Sequence, residues 1–368
     1  MKGLIFLFLL LGLLHGPSAA AAQAKNSRAR VRKPSGKTTP RASAKRKVIP
    51  AVDPTDGDIT DGDDLTIRRA AVAALGSRNG SIVVADPSTG RILTIVNQKL
   101  ALKSGFIPCS TIKLVTSLAA LTEHIVDADT WIHTGRYSSY NLTTAIARSN
   151  NQYFAILGER LGFDRVIHYA QMLGLGEKAG WDIPGEQPGA VPDKPPKNGG
   201  VGMMTSFGEG FLMTPLELTA MLTAIVNNGA LYYLQYPRTQ EEADELTPKL
   251  KRTLDLDPKG IADLKEGMRA AVDYGTARRA NYDPNEPILG KTGTCTDFPT
   301  SNHMGWFGSF NETPYHRLVV VVMLAGSKSF SGPFAAAVAG AFYRKLSEQR
   351  YFAADSVRVP SGSVIHFL

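Results

Sequence analysis

The sequence predicts an α+β fold in which an antiparallel sheet flanked by helices meets an all-helical lobe. Short β-branched runs occur at residues 81–96 and again at 288–324, whereas the segment 140–270 is mostly helical in pattern. A Gly/Pro-rich stretch at 183–200 interrupts that helical segment. Strands at both ends with helices between them predict one sheet that joins the ends, with an active site in the cleft against the helical lobe.

The first elements of the body are a hairpin and a helix. Residues 81–85 and 91–96 are β-branched runs, and the Asp-Pro-Ser-Thr-Gly turn at 86–90 separates them. After Pro108, apolar residues recur at a spacing near 3.6 up to Leu121, which predicts a helix.

Later elements follow the same signals. A second helix is predicted at 215–226, because Asn-Asn-Gly ends the apolar pattern there. Three strands are predicted at 288–296, 304–310 and 317–324, and a helix follows at 333–346. The sheet is expected to place the first hairpin beside these three strands.

The amino terminus has the pattern of an export signal. An apolar run from Leu4 to Leu14 is shorter than the 20 or so residues that span a bilayer, and small residues with A-x-A sites follow it. We predict a signal peptide at 1–24, with an uncleaved membrane anchor as the alternative. Both place the body outside the cytoplasm, in the periplasm or an equivalent extracytoplasmic space.

A basic segment follows the export signal and accounts for the high net charge. Residues 25–47 contain ten Lys or Arg and no acid, and we predict a disordered linker over 25–60. Without these ten and Lys2, the 41 basic residues become 30 against 33 acidic ones. The body is therefore nearly neutral, and no nucleic-acid partner is expected. Residues 25–47 are predicted either to contact an anionic membrane surface or wall polymer, or to have no partner. The remaining chain predicts a catalytic domain at 61–350 and a carboxy-terminal tail at 351–368.

A first motif, Ser110-Thr111-Ile112-Lys113, starts the first long predicted helix. Serine needs a base to become a nucleophile, and a lysine three residues later lies one turn away on the same face. Its amine can accept the proton if burial or another cation lowers its pKa. The motif alone is weak, because an exposed Ser and Lys on an ordinary helix give the same pattern.

A second motif, Ser149-Asn150-Asn151, precedes an aromatic and apolar helical segment. It can place a hydroxyl that relays a proton beside a carboxamide that holds a carbonyl group. A helix N-cap formed by the serine, with an asparagine in the turn, explains the same residues.

A third motif, Lys291-Thr292-Gly293-Thr294, lies in a predicted strand, where glycine often marks the close approach of another backbone or a ligand. Its lysine and hydroxyls suit a carboxylate. A phosphate-binding P-loop is excluded, because Asn285 stands where that loop needs glycine and because a strand follows rather than a helix.

The order S-x-x-K, S-x-N, K-T-G within such a fold resembles the penicillin-binding protein and serine β-lactamase superfamily, over about residues 80–345. Segments at 208–218 and 305–307 are similar to segments of the transpeptidases. The resemblance implies a D,D-transpeptidase or D,D-carboxypeptidase that acts on D-Ala-D-Ala stem peptides of peptidoglycan and reacts with β-lactams. A serine β-lactamase is the alternative, and a β-lactam sensor without turnover is the alternative of another class.

The resemblance also implies roles for the motif residues. Ser110 would be the nucleophile, Lys113 the general base, and Ser149 with Lys291 the proton relay to the leaving group. Asn151 would orient the substrate amide, and Lys291, Thr292, Gly293 and Thr294 would form the carboxylate-binding strand. The N–H groups of Ser110 and Thr294 would form an oxyanion hole. No cofactor and no metal are expected, since the seven histidines form no ligand motif.

Two further expectations concern the cysteines and the deacylation step. Cys109 and Cys295 have the relative positions of the disulfide in some class A β-lactamases, so the resemblance implies a Cys109–Cys295 bond in an exported protein. Two buried free thiols are the alternative. A β-lactamase would need a group that activates the deacylating water. Glu186 is a candidate for that group, with an ordinary surface residue as the alternative.

Overall fold

The computed structural model describes residues 53–280, 283, 285–297 and 301–353. The predicted signal peptide, the basic segment 25–47 and most of the predicted tail lie outside the described residues. The described residues belong to one compact unit, Pro50–Leu368.

The central sheet has five antiparallel strands in the order β2-β1-β9-β8-β7. They are β1 (Gly80–Ala85), β2 (Ile92–Val96), β7 (Ile288–Asp297), β8 (Asn302–Asn311) and β9 (Val319–Ser327). The predicted hairpin and the three predicted late strands are confirmed. The first hairpin pairs with the last strand, as expected. β7 lies at one edge of the sheet and contains the third motif.

The sheet is central because both of its faces are apolar. In β9, Val319, Val321 and Met323 face one buried cluster, whereas Val320, Val322 and Leu324 face another. Successive side chains of a strand point to opposite faces, so an unbroken apolar run requires cover on both sides.

Eleven helices surround the sheet in the described part of the chain. They are α1 (Leu65–Leu75), α2 (Gln98–Ala101), α3 (Lys113–Thr122), α4 (Leu142–Arg148), α5 (Asn151–Leu161), α6 (Phe163–Met172), α7 (Gly200–Phe207), α8 (Pro215–Val226), α9 (Gln240–Asp244), α10 (Pro258–Asp273) and α11 (Gly332–Glu348). α1 and α11 cover one face of the sheet and α8 covers the other. The helices predicted at 215–226 and 333–346 are confirmed.

The start of α8 shows how the sequence determines an element. Thr214 is the N-cap, and Pro215 occupies the first turn. The Glu217 carboxylate accepts a hydrogen bond from the Thr214 N–H. This reciprocal capping satisfies two N–H groups that otherwise lack partners at a helix start. Glu217 is buried and also accepts from the N–H groups of Gly176 and Gly189, so it joins three segments.

The helical lobe consists mainly of α3 to α7 and α10, and it includes short strands that the prediction did not contain. β3 (Ile132–Gly135) pairs with β4 (Ser138–Tyr140), and β5 (Ala230–Tyr232) pairs with β6 (Leu250–Thr253). Each is only three or four residues long, too short for a clear alternating pattern in the sequence.

The folded body extends beyond the predicted boundaries 61 and 350. Asp58, placed in the linker by prediction, accepts hydrogen bonds from the N–H groups of Asn97 and Gln98. At the other end, Phe352 is buried in the cluster between α11 and the sheet. These corrections arise because contacts distant in sequence hold both ends. No helix in the described ranges is both long and apolar enough to cross a bilayer.

An acid–base cluster lies near the amino-terminal end of the described residues. It consists of Arg68, Asp58 and Asp63, with the Arg68 guanidinium 2.9 Å from Asp58 and 3.0 Å from Asp63. Asp63 also accepts from Thr94 Oγ1 at 2.6 Å and from Tyr236 Oη at 2.8 Å. The side chains of both aspartates are almost completely buried. The cluster joins α1 to the segment before it, the sheet and the segment after β5.

Candidate active site

Ser110 lies in a 3₁₀ turn, Cys109–Ile112, that leads directly into α3. Lys113 begins α3, and its Nζ lies 3.0 Å from Ser110 Oγ, which confirms that the two side chains share a face. Cys109 has φ 54°, in the left-handed region that is uncommon for residues other than glycine. Such backbone conformations persist where the surrounding structure holds them, often at functional sites.

The Lys113 amine is the centre of a compact polar group. It lies 3.1 Å from Ser149 Oγ, 2.9 Å from the Ser149 carbonyl and 2.6 Å from Asn151 Oδ1. The Lys113 side chain is fully buried, whereas Ser110 is half-buried and Asn151 is exposed. The first and second motifs therefore meet at one lysine.

Lys291 approaches the same group from the sheet. Its Nζ lies 2.8 Å from Ser149 Oγ and 2.9 Å from the Thr292 carbonyl, and the residue is fully buried. The Ser149 hydroxyl is thus within hydrogen-bond reach of both lysine amines. Ser110, Lys113, Ser149 and Lys291 form one continuous chain of polar contacts.

Burial determines the electrostatics of this pair of lysines. Burial, reinforced by the positive charge of Lys291, holds the pKa of Lys113 well below its usual 10.5. Burial also lowers the pKa of Lys291 to about 7. The partners of both amines are hydroxyls, carbonyls and a carboxamide, none of which offsets a positive charge as a carboxylate would. A neutral Lys113 amine can accept the Ser110 proton.

The second motif forms a tight connection between two helices. Ser149 ends α4 in the left-handed conformation, with φ 54°, and Asn150 caps α5 by accepting from the Tyr153 N–H. The alternative in which Ser149 itself is the N-cap is therefore wrong. Because Asn150 takes the capping role, the side chains on either side of it are both free to face Lys113.

The third motif occupies β7 at its closest approach to Ser110. A Cβ on Gly293 would lie 3.0 Å from the Pro108 carbonyl oxygen and 3.2 Å from Cys109 Cβ. Glycine is therefore required by the close approach of another backbone, as predicted. The Trp306 indole of β8 donates to the Ile107 carbonyl at 3.1 Å and holds the same segment against the sheet.

The other residues of the motif follow the alternation of the strand. Lys291 and Gly293 face the Ser110 segment, whereas the Thr292 hydroxyl lies 2.7 Å from Thr276 Oγ1. Thr294 Oγ1 accepts from the Gly332 N–H, at the start of α11, at 2.7 Å. The hydroxyls of the two threonines therefore point away from Lys113, towards Thr276 and the start of α11.

The structure contains a disulfide between Cys109 and Cys295, with Cα atoms 5.6 Å apart. The bond links the residue before Ser110 to the strand that carries Lys291, and it closes a loop over a sequence separation of 186. The alternative of two free thiols is wrong. In the chain-entropy view, a bond across so long a loop stabilises by up to about 5 kcal/mol.

The penicillin-binding protein transpeptidase domain model matches residues 80–347. The chain belongs to the penicillin-binding protein transpeptidase family. Similar proteins include stage V sporulation protein D of Bacillus subtilis, 28% identical over 68% of this chain and 43% of that protein. Peptidoglycan D,D-transpeptidase MrdA of Acinetobacter baumannii is also 28% identical, over 66% of this chain and 45% of that protein. The chain thus spans about half the length of these curated relatives.

Solved structures agree on the fold. Pseudomonas aeruginosa PBP2, crystallised in complex with WCK 5153, superposes with a TM-score of 0.67 at 23% identity. The match covers 78% of this chain and 77% of that one. The predicted α+β architecture of the penicillin-binding superfamily is therefore confirmed.

Glu186 does not lie exposed at the surface of this transpeptidase domain, so that alternative is wrong. It is buried, and its carboxylate accepts from the N–H groups of Ala179 and Gly180. Burial raises its pKa, although these bonds oppose the rise. The carboxylate thus organises a turn of its own loop.

Sequence reasoning missed residues that support the motifs of the family. Thr276 bonds Thr292 through its hydroxyl, and its N–H donates to the Ala147 carbonyl beside the second motif. The neighbouring Gly275 allows this contact, since a Cβ there would lie 2.2 Å from the Ala147 carbonyl oxygen. No local pattern in the sequence marks Thr276.

Proposed function

We propose that this chain is a D,D-transpeptidase that acts on the D-Ala-D-Ala ends of peptidoglycan stem peptides through an acyl-Ser110 intermediate. The observation that carries the proposal is the chain of contacts from Ser110 through Lys113 and Ser149 to Lys291. Membership of the transpeptidase family and similarity to peptidoglycan D,D-transpeptidases such as MrdA support it.

Acylation begins at Ser110 and Lys113. The neutral Lys113 amine takes the hydroxyl proton as Ser110 Oγ attacks the carbonyl carbon of the penultimate D-Ala. The bond from Oγ to that carbon forms, and the carbonyl electrons move onto the oxygen. Because the two atoms already lie 3.0 Å apart, no rearrangement of the base is needed. The N–H groups of Ser110 and Thr294 are proposed to bind the oxyanion.

Collapse of the intermediate needs a proton at the leaving amine. Ser149 Oγ can donate its proton to the departing D-Ala nitrogen and recover one from Lys113 or Lys291, both within 3.1 Å. The C–N bond breaks, D-Ala leaves as a neutral amine, and Ser110 carries the acyl group. An acceptor amine of a second stem peptide then attacks the ester carbonyl, a C–N bond forms and the C–O bond to Ser110 breaks. The proton lost by the amine reaches Ser110 Oγ through Lys113, which regenerates the hydroxyl and the neutral base.

The free edge of β7 suits an extended peptide. Among the described strands, β7 pairs only with β8, so its outer backbone groups are available to a substrate strand. Lys291, Thr292 and Thr294 are proposed to bind the terminal carboxylate there, with Gly293 allowing the strand to approach Ser110. Asn151 is proposed to orient the substrate amide from the other side of the cleft.

The β-lactamase alternative has lost its candidate water-activating group, because Glu186 is bound to the backbone of its own loop. Glu217, the other buried glutamate described above, is occupied by three backbone N–H groups. These contacts favour a slow deacylation by water and hence transfer to an amine.

The family acts on peptidoglycan, so we place the chain outside the cytoplasm, with peptidoglycan stem peptides and β-lactams as its partners. Export through residues 1–24, or anchoring by them, and wall or membrane contact through 25–47 are part of this proposal. Deleting 25–47 and following the fractionation of the protein tests the last point, and unchanged fractionation would contradict it.

The experiment that tests the proposed function has two arms. Intact-mass spectrometry after mixing with benzylpenicillin should show one adduct that persists for hours, and Ser110→Ala should show none. A D-Ala-D-Ala pentapeptide with an amine acceptor should yield free D-Ala and a new amide. Release of D-Ala with water alone would identify a carboxypeptidase, and rapid consumption of the drug would identify a β-lactamase. No adduct and no D-Ala release would overturn the proposal.

A further inference from the structure

An open cleft of about 590 Å³ lies beside the second motif. Aromatic rings, hydroxyl groups and one guanidinium line it, and they include Trp131, Tyr137, Tyr140, Thr144, Arg148 and Tyr274. We name this set the aromatic cleft. None of these residues has a part in the acylation chemistry described above.

The rings of the aromatic cleft are unusually exposed. Trp131 is 61% exposed, Tyr137 is 89% exposed and Tyr274 is 44% exposed. Large aromatic side chains in a folded domain bury most of their area, and a group of exposed ones marks a binding surface. The short β3–β4 hairpin presents Tyr137 in its turn, with Trp131 immediately before it.

The inner wall of the cleft is attached to the catalytic motifs. Arg148 directly precedes Ser149, and its guanidinium lies 5.5 Å from the Tyr274 ring centroid. Tyr274 is two residues before Thr276, which bonds Thr292 of the third motif. The aromatic cleft is therefore connected to the second motif through Arg148 and to the third motif through Tyr274 and Thr276.

We propose that the aromatic cleft binds the glycan strand that carries the stem peptide, and this inference rests on the proposed function. Pyranose rings offer an apolar C–H face that packs on aromatic rings, while their hydroxyl and N-acetyl groups need polar partners such as Tyr140, Thr144 and Arg148. No carboxylate in the described part of the chain pairs with Arg148, so its N–H groups are available to sugar oxygens.

The length of the stem peptide limits where the glycan can lie. A stem peptide of five residues spans at most about 17 Å when extended. Its D-Ala-D-Ala end reaches Ser110, so the sugar to which the peptide is attached must lie within that distance. The aromatic cleft begins at the residue next to Ser149, whose hydroxyl shares Lys113 with Ser110.

The test measures glycan binding separately from the chemistry. Isothermal titration calorimetry uses the full chain with Ser110→Ala and peptide-free chains of alternating N-acetylglucosamine and N-acetylmuramic acid as the probe. We expect saturable binding, weakened about tenfold by Trp131→Ala with Tyr137→Ala. Trp181→Ala is the matched control, because Trp181 is 51% exposed but lines another depression. It should bind the glycan like the parent.

The two proposals fail in different ways. If wild type forms no adduct with benzylpenicillin but the glycan still binds, the proposed function falls and the glycan site stands. Absence of glycan binding, or equal loss in the Trp181→Ala control, would overturn the glycan site. It would also be overturned if sugar-free pentapeptide competed for the aromatic cleft, since the ligand would then be the peptide.

Discussion

The acid–base cluster around Arg68 and the lysine pair beside Ser110 both bury ionisable groups away from water. In the cluster, Asp58 and Asp63 surround one guanidinium, and together they raise the pKa of Arg68 although burial opposes its charge. Beside Ser110, Lys113 and Lys291 face hydroxyls and carbonyls, and burial lowers the pKa of both. The compensated charges join separate segments of the fold, whereas the uncompensated pair is proposed to supply the base, at a cost in stability.

The comparison separates two kinds of buried polar group. Removal of one member of a paired buried cluster strongly destabilises the fold, because the other members are left buried and unpaired. A cation without a counter-charge is destabilising, and a shape-matched apolar replacement relieves that cost. Substitutions should therefore lower the free energy of unfolding in the acid–base cluster and raise it at the lysine pair.

The largest effect is expected at Lys113. Lys113→Met removes the base while nearly preserving the volume of the side chain, so acylation of Ser110 by benzylpenicillin should slow about 10²–10⁴-fold. Stopped-flow or mass-resolved kinetics measure this. Lys259→Met is the matched control, since Lys259 is 70% exposed in an i,i+4 pair with Asp263. A variant at Lys113 that acylated at the rate of this control would contradict the assignment.

Removal of one acid from the cluster should destabilise the fold. Asp63→Ala deprives Arg68, Thr94 and Tyr236 of a buried acceptor and should lower the free energy of unfolding by about 3–5 kcal/mol. Denaturant unfolding measures it. The control Asp56→Ala removes an exposed pair with Lys99 and should change stability by less than about 1 kcal/mol. Equal effects in the two variants would contradict the distinction between the regions.

The disulfide joins the segment that carries Ser110 to the strand that carries Lys291. Cys109→Ala with Cys295→Ala should lower the free energy of unfolding by about 2–5 kcal/mol, because the bond restricts a long loop of the unfolded chain. Thermal unfolding of both proteins with and without reductant measures this. Reductant should lower the melting temperature of the parent only, and a parent insensitive to full reduction would contradict the prediction.

A smaller and opposite effect is expected at the second lysine. Lys291→Met should raise the free energy of unfolding by about 1–4 kcal/mol while acylation declines. The unfolded chain protonates Lys291 below about 10.5, but the folded protein does so only below about 7. The unfolded state binds more protons between these values, so parent stability rises with pH there. The increase in the free energy of unfolding caused by Lys291→Met should therefore be largest below pH 7 and should decrease towards pH 10.5. A destabilised variant at pH 6 would contradict this account.

The sheet could be predicted from the sequence because its signals are local. The Asp86–Gly90 turn and the β-branched run before Leu324 each determine an element by themselves. The short strands β3 to β6 could not be predicted, since three or four residues give no clear alternating pattern. The linker boundary was missed for a different reason, because Asp58 binds residues about forty positions away.

The motifs of the site could be predicted, but their electrostatics could not. Ser110 and Lys113 are one turn apart in the sequence pattern, whereas the contact of Lys291 with Ser149 joins residues 142 positions apart. Both lysines are buried without a neighbouring carboxylate only because the lobes pack together, and no local sequence pattern reports that packing. The surroundings of Glu186 could likewise not be predicted from the sequence, because its partners are backbone N–H groups of a turn.

The most direct test of the central claim is the pH dependence of the rate constant for acylation of Ser110 by benzylpenicillin. The rate constant should show a rising limb with a midpoint well below 10.5, where Lys113 loses its proton. A rising limb centred near 10.5, the ordinary value for lysine, would show that Lys113 is not held neutral by its surroundings and would contradict the claim.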